Sequence, residues 1–205
     1  MKLYSTLTSP YARMARIVRL EKGLDKKVSL EIVSTRGDNN PYYAVNPSGR
    51  VPSLELDDGT VLEDSGLICW YLDKIDGRAT LHPSEDVSGL EDRRIEAIAR
   101  SMLDGTSLWW REYLYRPPEI HSVTIMNHEN KRAFRLADVF EEEVKNATLS
   151  GPLNMAQITL ACVLHGRKNA GPAEFLWEEN RPNLCAWVKH IGNINSIKET
   201  APPSV

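Results

Sequence analysis

Two hydrophobic patterns divide the chain, and this division constrains the fold more than any other feature of the sequence. Residues 1–76 alternate between short strand patterns and helix patterns, whereas the strand patterns stop at about residue 77. The segment GRATLHPSED that follows is polar and contains Gly and Pro, as linkers do. We therefore predict two domains, residues 1–78 and residues 86–205, of which the second is all-helical.

The first part of the chain predicts strand, helix, strand, loop, strand, strand and helix, in that order. The runs KLYSTL and VSLEIV have strand patterns, and the segment between them, SPYARMARIVRLEKG, carries an apolar stripe with helical spacing. The turn DDG predicts a hairpin between SLEL and TVL, and DSGLICWYLDKID predicts the closing helix. A βαβ unit gives parallel strands and a hairpin gives antiparallel strands, so we predict a four-stranded mixed sheet covered by helices, the thioredoxin-like α/β arrangement.

The second part of the chain has only helix patterns. Ser88 and Glu91 have the spacing of a capping box before a long helix that RPP ends at residues 116–118. After a more polar helix, LNMAQITLACVL is apolar nearly all round, which predicts a buried central helix. Asn154 and Gln157 have capping-box spacing at its start. The segment RPNLCAWVKHI begins another helix, so we predict an all-α C-terminal domain.

Composition argues against several classes of protein. The 25 basic and 28 acidic residues are interspersed, so nothing favours nucleic acid or a membrane surface. No apolar run reaches about 18 residues and the N-terminal run is too short for a signal peptide, so we expect a cytoplasmic protein. Three widely spaced cysteines argue against a disulfide framework. None of the five histidines has metal-site spacing, so we expect no metal.

The segment TLTSPYAR places Ser9 and Pro10 where the first strand pattern gives way to a helix. Pro is favoured at the first helical position, so Ser9 is predicted to be the N-cap, worth about 1 kcal/mol. Alternatively, Ser9 holds a reactive group at the positive end of the helix dipole. Arg13 in the first turn opposes that dipole, which favours either an anion nearby or a solvated cation.

Four motifs make the chain resemble the cytosolic glutathione transferases over nearly its whole length. They are SPYAR after the first strand, NPSGRVPSL before the third strand, LEDSGLICWYL at the closing helix of the first part, and LNMAQITLA at the buried helix. The chain looks most like the bacterial serine-type members. The resemblance implies a homodimeric enzyme of detoxification that uses glutathione as co-substrate. It would activate the glutathione thiol for attack on small apolar electrophiles, whose alkyl or aryl group is transferred to the sulfur.

The resemblance also implies roles for six residues of the first part. Ser9 would donate a hydrogen bond to the glutathione sulfur, and Val51 would pair with the cysteinyl backbone. Pro52 would be cis, and Arg50 would reach the glycine carboxylate. Asp64 and Ser65, which would otherwise serve only as helix caps, would bind the γ-glutamyl end. The implied glutathione-binding residues are therefore Ser9, Arg50, Val51, Pro52, Asp64 and Ser65.

Elementary thiol chemistry agrees with the role implied for Ser9. A free thiol with a pKa of about 8.5 is only about 3% thiolate at pH 7. Lowering that pKa to about 6.5 requires about 2.7 kcal/mol, which a helix N-terminus and one hydroxyl donor can provide. Thr8 is the alternative donor, although strand alternation would point its side chain in a different direction from that of Ser9.

The segment LWWREYLY at residues 108–115 is the most aromatic stretch of the chain. Trp109, Trp110 and Tyr113 are predicted to line an electrophile pocket between the two domains, and the alternative is that Trp109 and Tyr113 belong to the core. Two other functions stay open. One is a binding module that kept the fold but not the ligand, and the other is a glutathione-dependent reductase, although Ser9 cannot form a mixed disulfide.

Overall fold

The computed structural model describes residues 1–166 and 175–203, which divide between two units. The first unit comprises Met1–His82 and Asn195–Pro203, and the second is Pro83–Ile194. The boundary falls within the polar segment expected to be a linker. The C-terminal segment Asn195–Pro203 groups with the first unit, although the sequence led us to expect it in the helical domain.

A four-stranded sheet forms the centre of the first unit. Its strands are β1 (Lys2–Ser5), β2 (Ser29–Ile32), β3 (Ser53–Glu55) and β4 (Val61–Glu63), in the spatial order β2-β1-β3-β4. β1 runs parallel to β2 and antiparallel to β3, and β3 runs antiparallel to β4. Leu54 lies opposite both Leu3 and Leu62. The predicted mixed sheet is confirmed. The βαβ connection accounts for the parallel pair β1–β2 and the hairpin for the antiparallel pair β3–β4, whereas neither connection fixes the pairing of β1 with β3.

Three helices complete the first unit: α1 (Pro10–Glu21), α2 (Ser65–Lys74) and, far along the chain, α8 (Asn195–Glu199). α1 packs against both α2 and α8. Its apolar residues Met14, Ala15 and Val18 are fully buried, as the stripe in the sequence predicts. Its buried face is wider than that stripe, because the side chains of Arg13 and Arg16 are buried as well.

Asp73, near the end of α2, organises the segment that follows the helix. Its carboxylate accepts hydrogen bonds from the backbone N–H groups of Thr80, Leu81 and His82 and pairs with the Lys22 ammonium at 3.4 Å. Burial by itself raises the pKa of this carboxyl group, but the hydrogen bonds outweigh burial and lower the pKa to about 2. The ionised carboxylate therefore fixes the chain where it leaves α2.

The second unit contains five α-helices in its described residues. They are α3 (Leu90–Tyr115), α4 (Val123–Glu143), α5 (Ala147–Ser150), α6 (Met155–Leu164) and α7 (Pro182–Ile191). All ten residues of α6 are buried, and this helix packs against α3, α5 and α7, as the continuous apolar run predicts. Within the described residues, no helix combines the length and the apolarity needed to cross a bilayer.

The two predicted capping boxes have different outcomes. Asn154 caps α6 and accepts from the backbone N–H of Gln157 at 3.0 Å, but the Gln157 amide donates to carbonyl groups outside the helix, so only half of the box forms. The predicted capping box between Ser88 and Glu91 is wrong. A short 3-10 turn places Ser88 before the helix start, and Gly89 occupies the N-cap of α3 without a side-chain bond. The Glu91 carboxylate pairs instead with Arg94 at 2.7 Å.

Candidate functional site

Ser9 lies at the N-cap of α1, where the chain leaves β1 and enters the helix. Its backbone is extended (φ −70°, ψ 121°), and its Oγ atom accepts from the backbone N–H of Ala12 at 3.2 Å. The predicted cap is thus confirmed. A hydroxyl that accepts a hydrogen bond retains its proton for donation, and no described residue accepts the Ser9 proton. Ser9 can therefore cap the helix and donate to a ligand atom at the same time.

The backbone at Val51 and Pro52 has a geometry that suits a peptide ligand. The peptide bond between these residues is cis, as the resemblance implied. Val51 is partly exposed one residue before the buried Pro52. Its backbone N–H and C=O form no hydrogen bond with another described residue. An extended peptide can pair with these two groups in the way that a strand pairs with a sheet edge.

Two buried side chains hold the segment that leads to Val51, and the sequence analysis missed both. The Tyr42 hydroxyl donates to the backbone carbonyl of Arg50 at 2.6 Å and lies 2.7 Å from Ser53 Oγ. Asn46 donates to the same carbonyl at 3.1 Å. Burial raises the pKa of the Tyr42 hydroxyl, which therefore stays protonated as a donor. The sequence did not single them out, because the loop at residues 37–50 contains two Tyr and three Asn residues.

Asp64 and Ser65 start α2, and the backbone of Asp64 is strained. Asp64 has φ 81° and ψ 126°, a region that residues other than Gly rarely adopt. Its Oδ1 atom accepts from the backbone N–H groups of Gly66 and Leu67 at 2.8 and 3.1 Å. The Ser65 hydroxyl forms no hydrogen bond with another described residue. Strain of this kind costs about 1–3 kcal/mol and points to a functional role.

Sheet register brings these three segments to one end of the first unit. Ser53, the first residue of β3, pairs with Tyr4 near the end of β1 and with Glu63 at the end of β4. The Ser9 segment follows β1, Val51 precedes β3, and Asp64 follows β4. The N-termini of α1 and α2 therefore begin at the same sheet edge and offer backbone N–H groups and partial positive charge to an anionic ligand.

The remaining predicted residues are placed as follows. Arg50 is exposed, and its guanidinium forms no ion pair with any other part of the chain that the structure describes. Arg13 fits neither expectation for the first turn of α1, because it is buried and donates to the carbonyl of Ile197 at 2.9 Å. The first turn thus needs no bound anion to explain this cation.

The aromatic residues predicted to line an electrophile pocket divide into two groups. Trp109 and Trp110 are 2% and 3% exposed, and both rings pack edge-on against Phe175 in the core of the helical unit. Tyr113 is 40% exposed and packs against His121. Burial supports the core alternative for Trp109. Trp110, which that alternative did not include, is also buried, whereas Tyr113, which it did include, is accessible.

The described residues bring together no group of three His, Cys, Asp or Glu side chains that would suit a metal ion. The candidate residues at the sheet edge offer hydroxyl groups, backbone N–H groups, the Asp64 carboxylate and the exposed Arg50 guanidinium. These groups suit a zwitterionic peptide with carboxylates at both ends and an ammonium group.

Comparison with known proteins identifies close counterparts of this arrangement. Residues 8–75 match the family model described as glutathione S-transferase, N-terminal domain. An uncharacterized GST-like protein of Escherichia coli K12, YibF, is 30% identical over 206 residues, which cover 99% of each chain.

Two crystal structures of a glutathione transferase family member from Pseudomonas fluorescens Pf-5 are similar over nearly the full length. One, with bound glutathione, is 28% identical with a TM-score of 0.88 and covers 98% of both chains. The other, with bound S-(propanoic acid)-glutathione, is 29% identical with a TM-score of 0.84 and covers 99% of this chain and 100% of that chain.

Proposed function

This chain belongs to the glutathione transferase superfamily, and on that premise we propose that it binds glutathione, ionises its thiol beside Ser9 and directs the thiolate at a small electrophile. The single observation that carries the proposal is the Ser9 hydroxyl, which caps α1 and keeps its proton available at the positive end of the helix. In this mechanism Ser9 keeps its proton, donates a hydrogen bond to the sulfur anion and is not itself a nucleophile.

The energy required for thiol activation is within the reach of this site. Lowering the thiol pKa from about 8.5 to about 6.5 raises the thiolate fraction at pH 7 from about 3% to about 75%. That change corresponds to about 2.7 kcal/mol. A helix N-terminus contributes up to about 1 kcal/mol at an exposed site, and a hydrogen bond to a charged group contributes about 1.5–3 kcal/mol. The two contributions together reach up to about 4 kcal/mol, so the required value lies within their range.

The γ-glutamyl end of glutathione carries an ammonium and a carboxylate, and α2 offers a partner to each. We assign the Asp64 carboxylate to the ammonium, since its Oδ1 alone accepts the two capping bonds and Oδ2 remains for the ligand. We assign the Ser65 hydroxyl and the backbone N–H of Ser65 to the carboxylate, because the next two N–H groups of α2 already donate to Asp64. The strained backbone of Asp64 supports this assignment, because capping alone does not require a strained residue.

The middle and the glycine end of glutathione complete the binding proposal. Val51 pairs its backbone N–H and C=O with the cysteinyl residue, and the adjacent Pro52 gives the chain its cis turn. Arg50, exposed beside them, reaches the glycine carboxylate. Tyr42 and Asn46 act indirectly by holding the Arg50 carbonyl.

Titration with glutathione tests binding, and a substrate panel tests chemistry. Saturable quenching of tryptophan fluorescence is expected below several millimolar glutathione, since this chain has five Trp residues. The panel compares halogenated aromatic, epoxide and disulfide substrates. Turnover of electrophiles but not of disulfides supports the transferase proposal, whereas reduction of disulfides alone supports the reductase. Absence of glutathione binding would favour an interaction module that kept only the fold.

The proposal extends to the homodimer and to a cytoplasmic location. The charged face around Arg93 and Arg94 on α3 is our candidate for the dimer contact, and Arg94 already pairs within its own unit with Glu91 and Glu143, each at 2.7 Å. Sedimentation at micromolar concentration is expected to give twice the 23.1 kDa mass of the chain. A clean monomer would contradict the dimer without affecting the proposed chemistry.

A further inference from the structure

We propose that the C-terminal segment Asn195–Pro203 positions the Ser9 loop, Thr6–Ser9, through the buried side chain of Arg16. Arg16 and Thr200 are then positioning residues for thiol activation, although neither is placed to touch glutathione in the proposed function. This inference rests on that proposed function, because it concerns how accurately the Ser9 hydroxyl meets the sulfur.

Arg16 links the two segments directly. Its side chain leaves α1 and is 5% exposed. Its Nη2 atom donates to the backbone carbonyl of Leu7 at 3.2 Å and to the backbone carbonyl of Thr200 at 3.2 Å. One nitrogen therefore joins the Ser9 loop to the C-terminal segment across 184 positions of sequence between Arg16 and Thr200.

Arg13, one turn earlier on α1, holds the same segment. Its Nε atom donates to Thr200 Oγ1 at 3.3 Å, and its Nη2 atom donates to the Ile197 carbonyl at 2.9 Å. Thr200 in turn donates its hydroxyl proton to the carbonyl of Ser196 at 2.7 Å. The guanidinium groups thus satisfy carbonyls at the end of α8 that the helix itself leaves without partners.

The Ser9 loop depends on such bonds because none of its four side chains is buried in the core. The side chains of Leu7 and Thr8 are exposed, with Leu7 at 44%. Besides the cap that joins Ser9 to the Ala12 N–H, the bonds that hold the loop include the Arg16 bond to Leu7, a bond from Ser5 Oγ to the Thr6 carbonyl at 2.9 Å, and a bond from the Ser9 N–H to Thr6 Oγ1 at 3.2 Å. Among these, the Arg16 bond connects the loop to a distant element.

Stability alone gives a weak reason for burying these two arginines. Desolvating a guanidinium is costly, and well-packed apolar residues often replace buried charges without loss of stability. Precise placement of the Ser9 hydroxyl gives a stronger reason, since displacing a catalytic group by about 1 Å can cost about a hundredfold in rate. The arrangement therefore suits a role in positioning.

The test measures ionisation of bound glutathione by the ultraviolet absorbance of its thiolate during a pH titration, so it needs no electrophile. Arg16→Met is compared with Arg19→Met, a matched control on the same helix. Arg19 also donates to two backbone carbonyls, those of Asp25 and Val28, but these lie away from the Ser9 loop. We expect Arg16→Met to reduce the thiolate fraction at pH 7 about threefold or more, and Arg19→Met to leave it unchanged.

Two truncations test whether Arg16 acts with the C-terminal segment. Ending the chain after Glu199 removes both Thr200 acceptors, whereas ending it after Ala201 keeps them, and both variants acquire a new terminal carboxylate nearby. We expect the first truncation to reproduce the change seen in Arg16→Met and the second to behave as the wild type. If Arg16→Met does not fold, Arg16→Lys keeps the charge and is expected to give a smaller change in the same direction.

The outcomes separate this inference from the proposed function. A wild-type protein that binds glutathione without forming thiolate overturns both. A wild-type protein that forms thiolate, together with an Arg16→Met variant of unchanged titration, overturns the positioning role alone. A change in Arg16→Met that the truncation after Glu199 does not reproduce overturns the part assigned to the C-terminal segment.

Discussion

The Oγ atom of Ser9 accepts a hydrogen bond from the backbone N–H of Ala12 at 3.2 Å, so one side chain both starts α1 and directs its proton elsewhere. This relationship means that the structural and chemical roles of Ser9 coexist and must be separated by different measurements. Stability reports the cap, and the pH dependence of activity reports the donor.

Ser9→Ala is expected to change both measurements. Loss of the cap costs about 1 kcal/mol in the free energy of unfolding, measured by denaturant titration. Loss of the donor moves the pH midpoint of kcat/KM upward toward the free-thiol pKa of about 8.5, while affinity for glutathione changes less. A variant with lowered stability and an unmoved pH midpoint would limit Ser9 to capping.

Thr8→Ala is the control for this prediction. Strand alternation does not in fact separate the two hydroxyls, because β1 ends at Ser5 and Thr8 lies in the loop beyond it. Thr8 is exposed, and Ser9 occupies the cap. We expect Thr8→Ala to have the same pH midpoint of kcat/KM as the wild type. If the midpoint shifted in Thr8→Ala but not in Ser9→Ala, Thr8 would be the donor, and the transferase proposal would be unaffected.

Asp64→Asn and Asp64→Gly separate charge from strain at the start of α2. Asn keeps a capping oxygen but loses the charge, so we expect nearly unchanged stability and about tenfold weaker glutathione binding. Gly relieves the strain at φ 81° and loses both cap and charge, so its stability falls less than that of Asp64→Ala, while binding weakens as in Asn. Calorimetric titration measures the affinities, and equal affinity in Asn and wild type would remove the proposed ammonium contact.

Tyr42→Phe tests the support beneath Val51. The substitution removes the bond to the Arg50 carbonyl and leaves Ser53 Oγ without this neighbour, so we expect a loss of about 1 kcal/mol in stability. Because Val51 is held less firmly, KM for glutathione is expected to rise more than kcat falls. Tyr43→Phe, on the exposed neighbouring residue, is the matched control, and equal effects of the two variants would contradict a specific role for Tyr42.

Asp73 predicts how acid affects stability. Its folded-state pKa is lowered to about 2 from an ordinary value of 3.8, so its contribution is complete above about pH 4 and is lost as pH falls toward 2. The difference corresponds to about 2 kcal/mol at 1.36 kcal/mol per pKa unit. Asp73→Asn should therefore lower the free energy of unfolding at pH 7 by about that amount. The gap between variant and wild type should close between pH 4 and pH 2 in denaturant titrations, and a constant gap would contradict the assignment.

Local sequence determined the architecture of the first unit and the helix caps that form part of its site. Alternating strand and helix patterns, a DDG hairpin turn and a Ser-Pro helix start act over a few residues each. The order of elements along the chain, the mixed sheet, the cap at Ser9 and the Asp64 cap of α2 could therefore all be predicted. The cis bond before Pro52 came from resemblance to a family and not from physics, because only about 5% of such bonds are cis. Where local signals competed, as at Ser88 and Gly89, the exact helix start could not be read.

Only the tertiary structure decided which distant residues support the site and where the aromatic residues of α3 point. Tyr42 and Asn46 meet at one carbonyl because the loop folds back on itself, and Trp109 and Trp110 turn into the core. From the sequence, Arg13 was a cation at an unfavourable position in the first turn of a helix. In the structure it donates a hydrogen bond to Thr200, which lies 187 positions away along the chain. Patterns of a few residues determine helices and strands, whereas a hydrogen bond between residues 13 and 200 depends on the path of the whole chain, and no local pattern encodes that path.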